Sequence, residues 1–148
     1  ALEAGDEAAF ELLREVGSGV EGAVSARRGR VVKRLGDGLM ASFLDPEHAV
    51  EAALDAQYAV ATVEVAGHRP RLRAGAHLGR PRRIGGDYLG IDVNVAARVA
   101  DGAGAGEVLI SEPVADRLDP AHFTTGRRRR LRAAGAPREL RVCTVRPT

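Results

Sequence analysis

Aromatic side chains are scarce in this sequence: Trp is absent, and three Phe and two Tyr are spread over 148 residues. A sheet that binds single-stranded nucleic acid needs exposed rings on which bases stack, so the scarcity argues against a nucleic-acid-binding α+β module. The core must be aliphatic, built from Ala, Val and Leu within an apolar fraction of 45%. Cysteine is nearly missing as well. A lone Cys143 cannot staple the chain, and no Cys/His cluster offers a zinc site. That agrees with a reducing compartment, and the expected location is cytoplasmic. No apolar run approaches the roughly 18 residues needed to span a bilayer, and no signal-peptide pattern opens the chain. No membrane contact is expected of this stretch, although a parent protein could be attached to a membrane by other parts. Nor does one sign of charge dominate. The formal net charge is +2 with both signs interspersed, which calls for no nucleic acid partner.

What is present is a regular alternation of helix-type and strand-type patterns. Phe10, Leu13, Val20 and Val24 recur at helical spacing, and Asp6 follows a Gly, so the sequence predicts a helix from Asp6 to about Ala26. Arg30 to Leu35 and Leu39 to Leu44 read as strands joined by Gly36-Asp37-Gly38, a pair of Asp-Gly type turn signals that supply positive φ. Asp45-Pro46-Glu47 is a helix start, with Val50, Ala53, Leu54, Gln57 and Val60 on one face of a helix to about Ala66. Arg71 to Gly79 alternates, with Leu72, Ala74, Ala76 and Leu78 on one face. Gly85-Gly86-Asp87 is a turn, Gly90 to Ala103 a helix, and Gly106 to Ile110 a strand. Ser111-Glu112-Pro113 caps a brief helix to Leu118, and two strands flank Gly135 to Pro137 between Phe123 and Val145. No repeat or linker interrupts the chain. The expected fold is one α+β domain over 1–148, a single sheet covered by helices.

Two segments carry candidate chemistry. In Val-Val-Lys-Arg-Leu-Gly-Asp-Gly, residues 31–38, Asp37 sits at a hairpin tip. A carboxylate there suits a hard cation such as Mg²⁺, which takes one or two carboxylates beside phosphate oxygens and water. Taken alone, the segment reads first as an ordinary Asp-Gly turn. In residues 85–98, Asn94 and Arg98 are four apart on the expected helix and share a face. An amide beside a guanidinium can orient a sugar oxygen and offset charge on phosphorus. Taken alone, the pair also reads as a solvated polar stripe.

Together the two segments resemble the signature of class III adenylate and guanylate cyclases, Val-Lys-x-x-Gly-Asp-Gly followed by Asp-x-x-Gly-x-x-Val-Asn-x-Ala-x-Arg. The stretches RLRAGAHLG before the second motif and GAGEVLISEPVADRL after it are similar to the family's elements in the same order. Bacterial single-domain members are the most similar. The resemblance implies a cyclase homology domain, with a ferredoxin-like βαββαβ-type sheet covered by helices. It implies conversion of ATP to cyclic AMP and pyrophosphate in a homodimer with shared sites. One subunit would give metal aspartates, Asp37 among them, for Mg²⁺ or Mn²⁺. The other would give Lys33 and Asp87 to read the base, Asn94 to position ribose and Arg98 to stabilise charge at the α-phosphate. Arg132 stands where the family usually has a Lys touching the terminal phosphates. The run Arg127 to Arg130 reads as a solvated strand edge.

The family's first metal aspartate stands in a motif like Phe-x-Asp-x-x-Gly-x-Thr, on a strand before the first helix. Nothing in this sequence matches it. Ala1 falls just after the place where that motif should end, and Asp6 reads as a helix cap. The expectation is a domain without its first strand, cut from a longer parent. A catalytically inactive cyclase-like domain that binds nucleotide or only dimerises is the main alternative. Gly85-Gly86-Asp87-Tyr88 also hints at a diguanylate cyclase, but Tyr88 stands where that family has Glu.

Overall fold

The computed structural model describes residues 8–14, 20–35, 38–61, 72–79, 82–84, 87–89, 91–131 and 139–148. Its strands are β1 (Ala8–Arg14), β2 (Arg30–Leu35), β3 (Gly38–Phe43), β4 (Arg73–Gly79), β5 (Arg82–Ile84), β6 (Asp87–Leu89), β7 (Val108–Ser111), β8 (Phe123–Thr125), β9 (Arg129–Arg130) and β10 (Arg141–Pro147). Its helices are α1 (Val20–Ala26), α2 (Pro46–Ala61), α3 (Ile91–Gly102) and α4 (Glu112–Ala115). The main sheet runs β2-β3-β1-β4-β7-β10-β8, with β9 also on β10, and β5 and β6 form a separate hairpin. All pairings are antiparallel except β4 with β7, which the crossover through α3 makes parallel. The α+β class and the helix-covered sheet expected from sequence are both present.

The beginning of the chain differs from expectation. Residues 6–26 read as one helix, but Ala8–Arg14 is a strand at the sheet's centre, between β3 and β4, and helix begins at Val20. The physical reason is that a central strand is covered on both faces. Ala9, Phe10, Leu12 and Leu13 are all buried. A strand buried on both faces loses its polar alternation, so its apolar positions also match a helical stripe.

Three clusters cover the two faces, one of them joining Val95, Val99 and Ala103 of α3 to Leu109, Leu131, Leu140 and Val142. Ala9, Leu13, Leu39, Ala41, Phe43, Ala74, Ala76 and Ile110 pack against α1 and α2 in the larger one. Phe10, Leu12, Met40, Ala96 and Ala100 form a smaller one beneath α3. Helix α2 starts as its sequence dictates: the Glu47 amide donates to Asp45 Oδ1 at 2.9 Å, with Pro46 in the first turn. The expected cap at Ser111 is not made. Its hydroxyl bonds His77 Nδ1 at 2.7 Å, inside the protein, because the two stand side by side on β7 and β4. Gly75 is required by close approach. A Cβ there would lie 2.1 Å from the Ala100 amide nitrogen, so α3 rests on the β4 backbone. Gly38 is required for the same reason, against the Leu13 carbonyl at 2.1 Å, and not for a positive φ.

Candidate functional site

The β2–β3 hairpin sorts its two adjacent cations onto opposite faces of the sheet. Lys33 pairs with Met40, and Arg34 pairs with Leu39. Cross-strand partners project to the same side, and Met40 belongs to the cluster under α3. Lys33 therefore leaves the sheet on the α3 face, where it is exposed and makes no hydrogen bond or ion pair among the described residues. Arg34 goes to the other face and clamps Glu21 of α1, Nε to Oε1 at 2.6 Å and Nη2 to Oε2 at 2.9 Å. The Arg34 hydrogen bond holds the Glu21 carboxyl below its usual range. Asp37 lies outside the described residues, in the two-residue connection between Leu35 and Gly38.

Helix α3 carries Asn94, exposed, and Arg98, partly exposed, one turn apart. Arg98 Nη2 lies 3.3 Å from Asp101 Oδ2 on the same helix. The other carboxylate oxygen, Asp101 Oδ1, accepts from Arg14 Nε at 2.9 Å. Arg14 ends β1, with Gly38 beside it on one flank and Arg73 on the other. Arg73 has a buried Nε with no partner. Arg14 and Arg98 thus share the carboxylate of Asp101, and Arg73 stands beside Arg14 on the neighbouring strand. Sequence reasoning singled out Arg98 alone. The i,i+3 spacing of Arg98 and Asp101 was a usable signal for that pair. Arg14 was hidden by the helical reading of β1.

Asp87 opens β6, with its backbone in register with Ile84. Strand β6 touches β2, the strand that carries Lys33. The expected turn at 85–87 is therefore a hairpin whose second arm starts at Asp87. The Asp87 side chain and all of Arg132 lie outside what is described. Among the arginines before Arg132, Arg128 is exposed but paired. It bridges Glu112 and Asp116, each at 2.9 Å, and those hydrogen bonds raise its pKa. Arg127, Arg129 and Arg130 are exposed, as expected.

No group of three His, Cys, Asp or Glu side chains suited to a metal occurs among the described residues. The acid on the central strand is Glu11, and it does not supply a second metal carboxylate. It pairs with Ala41 and Ala76, so it faces α1 and α2, away from Lys33. It is fully buried, neither carboxylate oxygen has a partner, and burial pushes its pKa well above the usual range. Of the expected metal ligands the sequence supplies Asp37, outside the described residues, and one carboxylate is within what Mg²⁺ accepts when phosphates and waters complete its shell. No helix among the described residues is long and apolar enough to cross a membrane.

No protein-family model matches the chain. Among curated proteins it is 36% identical over 111 residues to a protein of Mycobacterium tuberculosis named only as uncharacterised, a stretch covering 73% of this chain and 28% of that protein. It is 35% identical over 95 residues to the pH-sensitive adenylate cyclase of the same organism, covering 64% of this chain and 23% of the cyclase. The chain thus spans roughly a quarter of the length of these relatives. Among solved structures, an adenylate cyclase of Trypanosoma brucei in its monomeric state superposes with a TM-score of 0.80 at 18% identity, over 98% of this chain and 91% of that one. Guanylate cyclase domains superpose as well, including one from Catenaria anguillulae in complex with GTP. The eight-stranded sheet and its helices are theirs in arrangement, and in fold this chain is a cyclase homology domain of the class III adenylate and guanylate type.

Proposed function

We propose that this chain is the catalytic domain of an adenylate cyclase, which converts ATP to 3′,5′-cyclic AMP and pyrophosphate in a homodimer. The observation that carries the proposal is the composition of the α3 face. Lys33, which has no partner among the described residues, the strand that begins with Asp87, the Asn94/Arg98 pair and the Arg73 Nε all belong to it or border it. The similarity to a mycobacterial adenylate cyclase supports the same reading.

Each group has work that fits its chemistry. Lys is a donor only and adenine N1 an acceptor; Asp is an acceptor only and the 6-amino group a donor. Guanine reverses both edges, so Lys33 with Asp87 favours ATP. Asn94 would hold the ribose, whose 3′-oxygen attacks the α-phosphorus. The new O–P bond forms as the bond to pyrophosphate breaks, and the hydroxyl proton leaves to solvent. Arg98 would offset charge on the α-phosphoryl oxygens, and Arg73 and Arg132 would take phosphate oxygens further along the chain. A divalent cation, Mg²⁺ or Mn²⁺, held by Asp37 would neutralise phosphate charge. The rest of the rate enhancement is positioning and electrostatics. In this reading Asp37 acts with Asn94 and Arg98 of the partner, so each dimer has two sites. A substrate supplied by the cytoplasm fits a cytoplasmic domain.

The test is cyclic nucleotide formation by the full-length protein with ATP or GTP, and mixing of Asp37→Ala with Arg98→Ala. Each variant alone should be nearly inactive. Mixed heterodimers should recover activity, because one of their two sites is intact. No recovery with heterodimers verified would sink the shared site. A second reading, a domain that binds nucleotide without turnover, draws on one observation: the central strand carries the enclosed Glu11 and no exposed aspartate. Saturable ATP binding with no cyclic AMP at any metal concentration would establish it instead.

A further inference from the structure

Asp101 belongs to no motif, yet it is the one carboxylate shared by two arginines at the end of α3. Each oxygen serves a different guanidinium: Oδ1 takes Arg14 Nε at 2.9 Å and Oδ2 faces Arg98 Nη2 at 3.3 Å. Arg14 is the better fixed of the two. Its side chain is 20% exposed, against 40% for Arg98, and its backbone is locked between Gly38 and Arg73 in the sheet. Asp101 is thereby held from the sheet side, and it in turn restrains the arginine on its own helix.

Half-exposed ion pairs add little to stability. Their effect here is on orientation. A free arginine side chain carries about 2 kcal/mol of rotamer entropy, much of which must be lost before it can serve one phosphate geometry. Asp101 occupies a single nitrogen of Arg98. The guanidinium has five N–H donors in a planar fork, and the 3.3 Å ion pair at one nitrogen narrows the positions it can take. The arrangement orients Arg98 and does not sequester it.

We infer that Asp101 is a positioning residue for Arg98, anchored by Arg14, which fixes the guanidinium for the phosphoryl group before nucleotide arrives. The inference rests on the cyclase reading for its kinetic consequence, but the Arg14–Asp101–Arg98 relay is testable without it. Arg73 is the remaining charged neighbour; it pairs in register with Arg14 and has no acidic partner among the described residues. When Asp101 loses its charge, no other acid in reach of Arg98 replaces it among the described residues.

The experiment is a double-mutant cycle in the full-length protein. Asp101→Asn should lower kcat with ATP by about tenfold and change KM by less than about twofold, since an interaction realised in the transition state is weakened. In an Arg98→Ala background the same substitution should change kcat by less than about twofold. A tenfold loss in both backgrounds, or no loss in either, would overturn the inference. The second measurement needs no turnover: side-chain NMR of ¹⁵N-labelled arginine. Arg98 should show a restricted guanidinium signal in wild type that Asp101→Asn releases. If the protein makes no cyclic nucleotide, the cyclase reading fails and this spectrum alone decides the relay. Identical Arg98 signals in wild type and variant would then refute it.

Discussion

The two faces of the central sheet are built on opposite terms. Against α1 and α2 the sheet buries a long list of Ala, Val, Leu and Phe side chains, and even an acid, Glu11, is enclosed there without a partner. Under α3 the sheet buries two smaller clusters, one around Phe10 and Met40 and one joining Val95 and Val99 to Leu109 and Val142, and polar groups border the first. The first face holds the larger core cluster and none of the side chains with candidate chemistry. The second is packed by two separate smaller clusters and borders nearly every side chain with candidate chemistry. Stability and recognition are divided between the sides of one sheet, and the same hairpin serves both, with Arg34 turned to one and Lys33 to the other.

The division can be broken from either side. The largest effect should come from the open face. Replacing Lys33 with Glu and Asp87 with Ser presents the wrong groups to adenine, and readout by hydrogen bonds can discriminate by up to about 10⁴-fold. The double variant should lose cyclic AMP synthesis and keep the wild-type unfolding transition. Comparing kcat/KM for ATP and GTP checks it; an unchanged ATP preference would remove both residues from base reading.

The next effect belongs to the enclosed face. Burial raises the Glu11 pKa above its unfolded value, so the folded chain keeps this proton to higher pH than the unfolded chain does. Its contribution is complete below the unfolded carboxylate range and is lost as pH rises through the folded value. Glu11→Gln keeps the shape without the acid. Its stability advantage should grow from near zero in mild acid to about 1–3 kcal/mol above neutrality, without altering base preference. Urea unfolding across pH measures it, and parallel curves for the two proteins would show that Glu11 does not titrate as a buried group. The smallest effect is Arg34→Ala. Its pair with Glu21 lies in solvent, so neither activity nor the unfolding midpoint should move measurably.

Much of this was legible in the sequence because local chemistry and tertiary context agree. Asp45-Pro46 starts α2 as such a pair should, and the alternation of residues 72–78 matches the buried side of β4. The candidate site was read from motif spacing, and the face to which Lys33 points required the register with Met40. What was not legible depended on burial from both sides. The segment 8–14 has no polar alternation because neither of its faces meets water, and its pattern fits helix as well as strand. Misreading it concealed Arg14 and with it the partner of Asp101. The Ser111 hydroxyl was misassigned for a related reason: a cap is a local expectation, while His77 is its neighbour only across two paired strands.

The ends of the sheet path bear on how copies of the chain meet. At one end β2 presents Arg30 and Lys33; at the other, β9 and the segment before it present Arg127, Arg129 and Arg130, all exposed. An unprotected strand edge invites another strand to extend the sheet, and like charges at both ends oppose that extension. Polymerisation strand by strand is disfavoured, most strongly at low ionic strength, where screening is weakest. In the homodimer proposed above, copies would meet through faces, a geometry that can close after two copies where edge pairing has no natural stopping point.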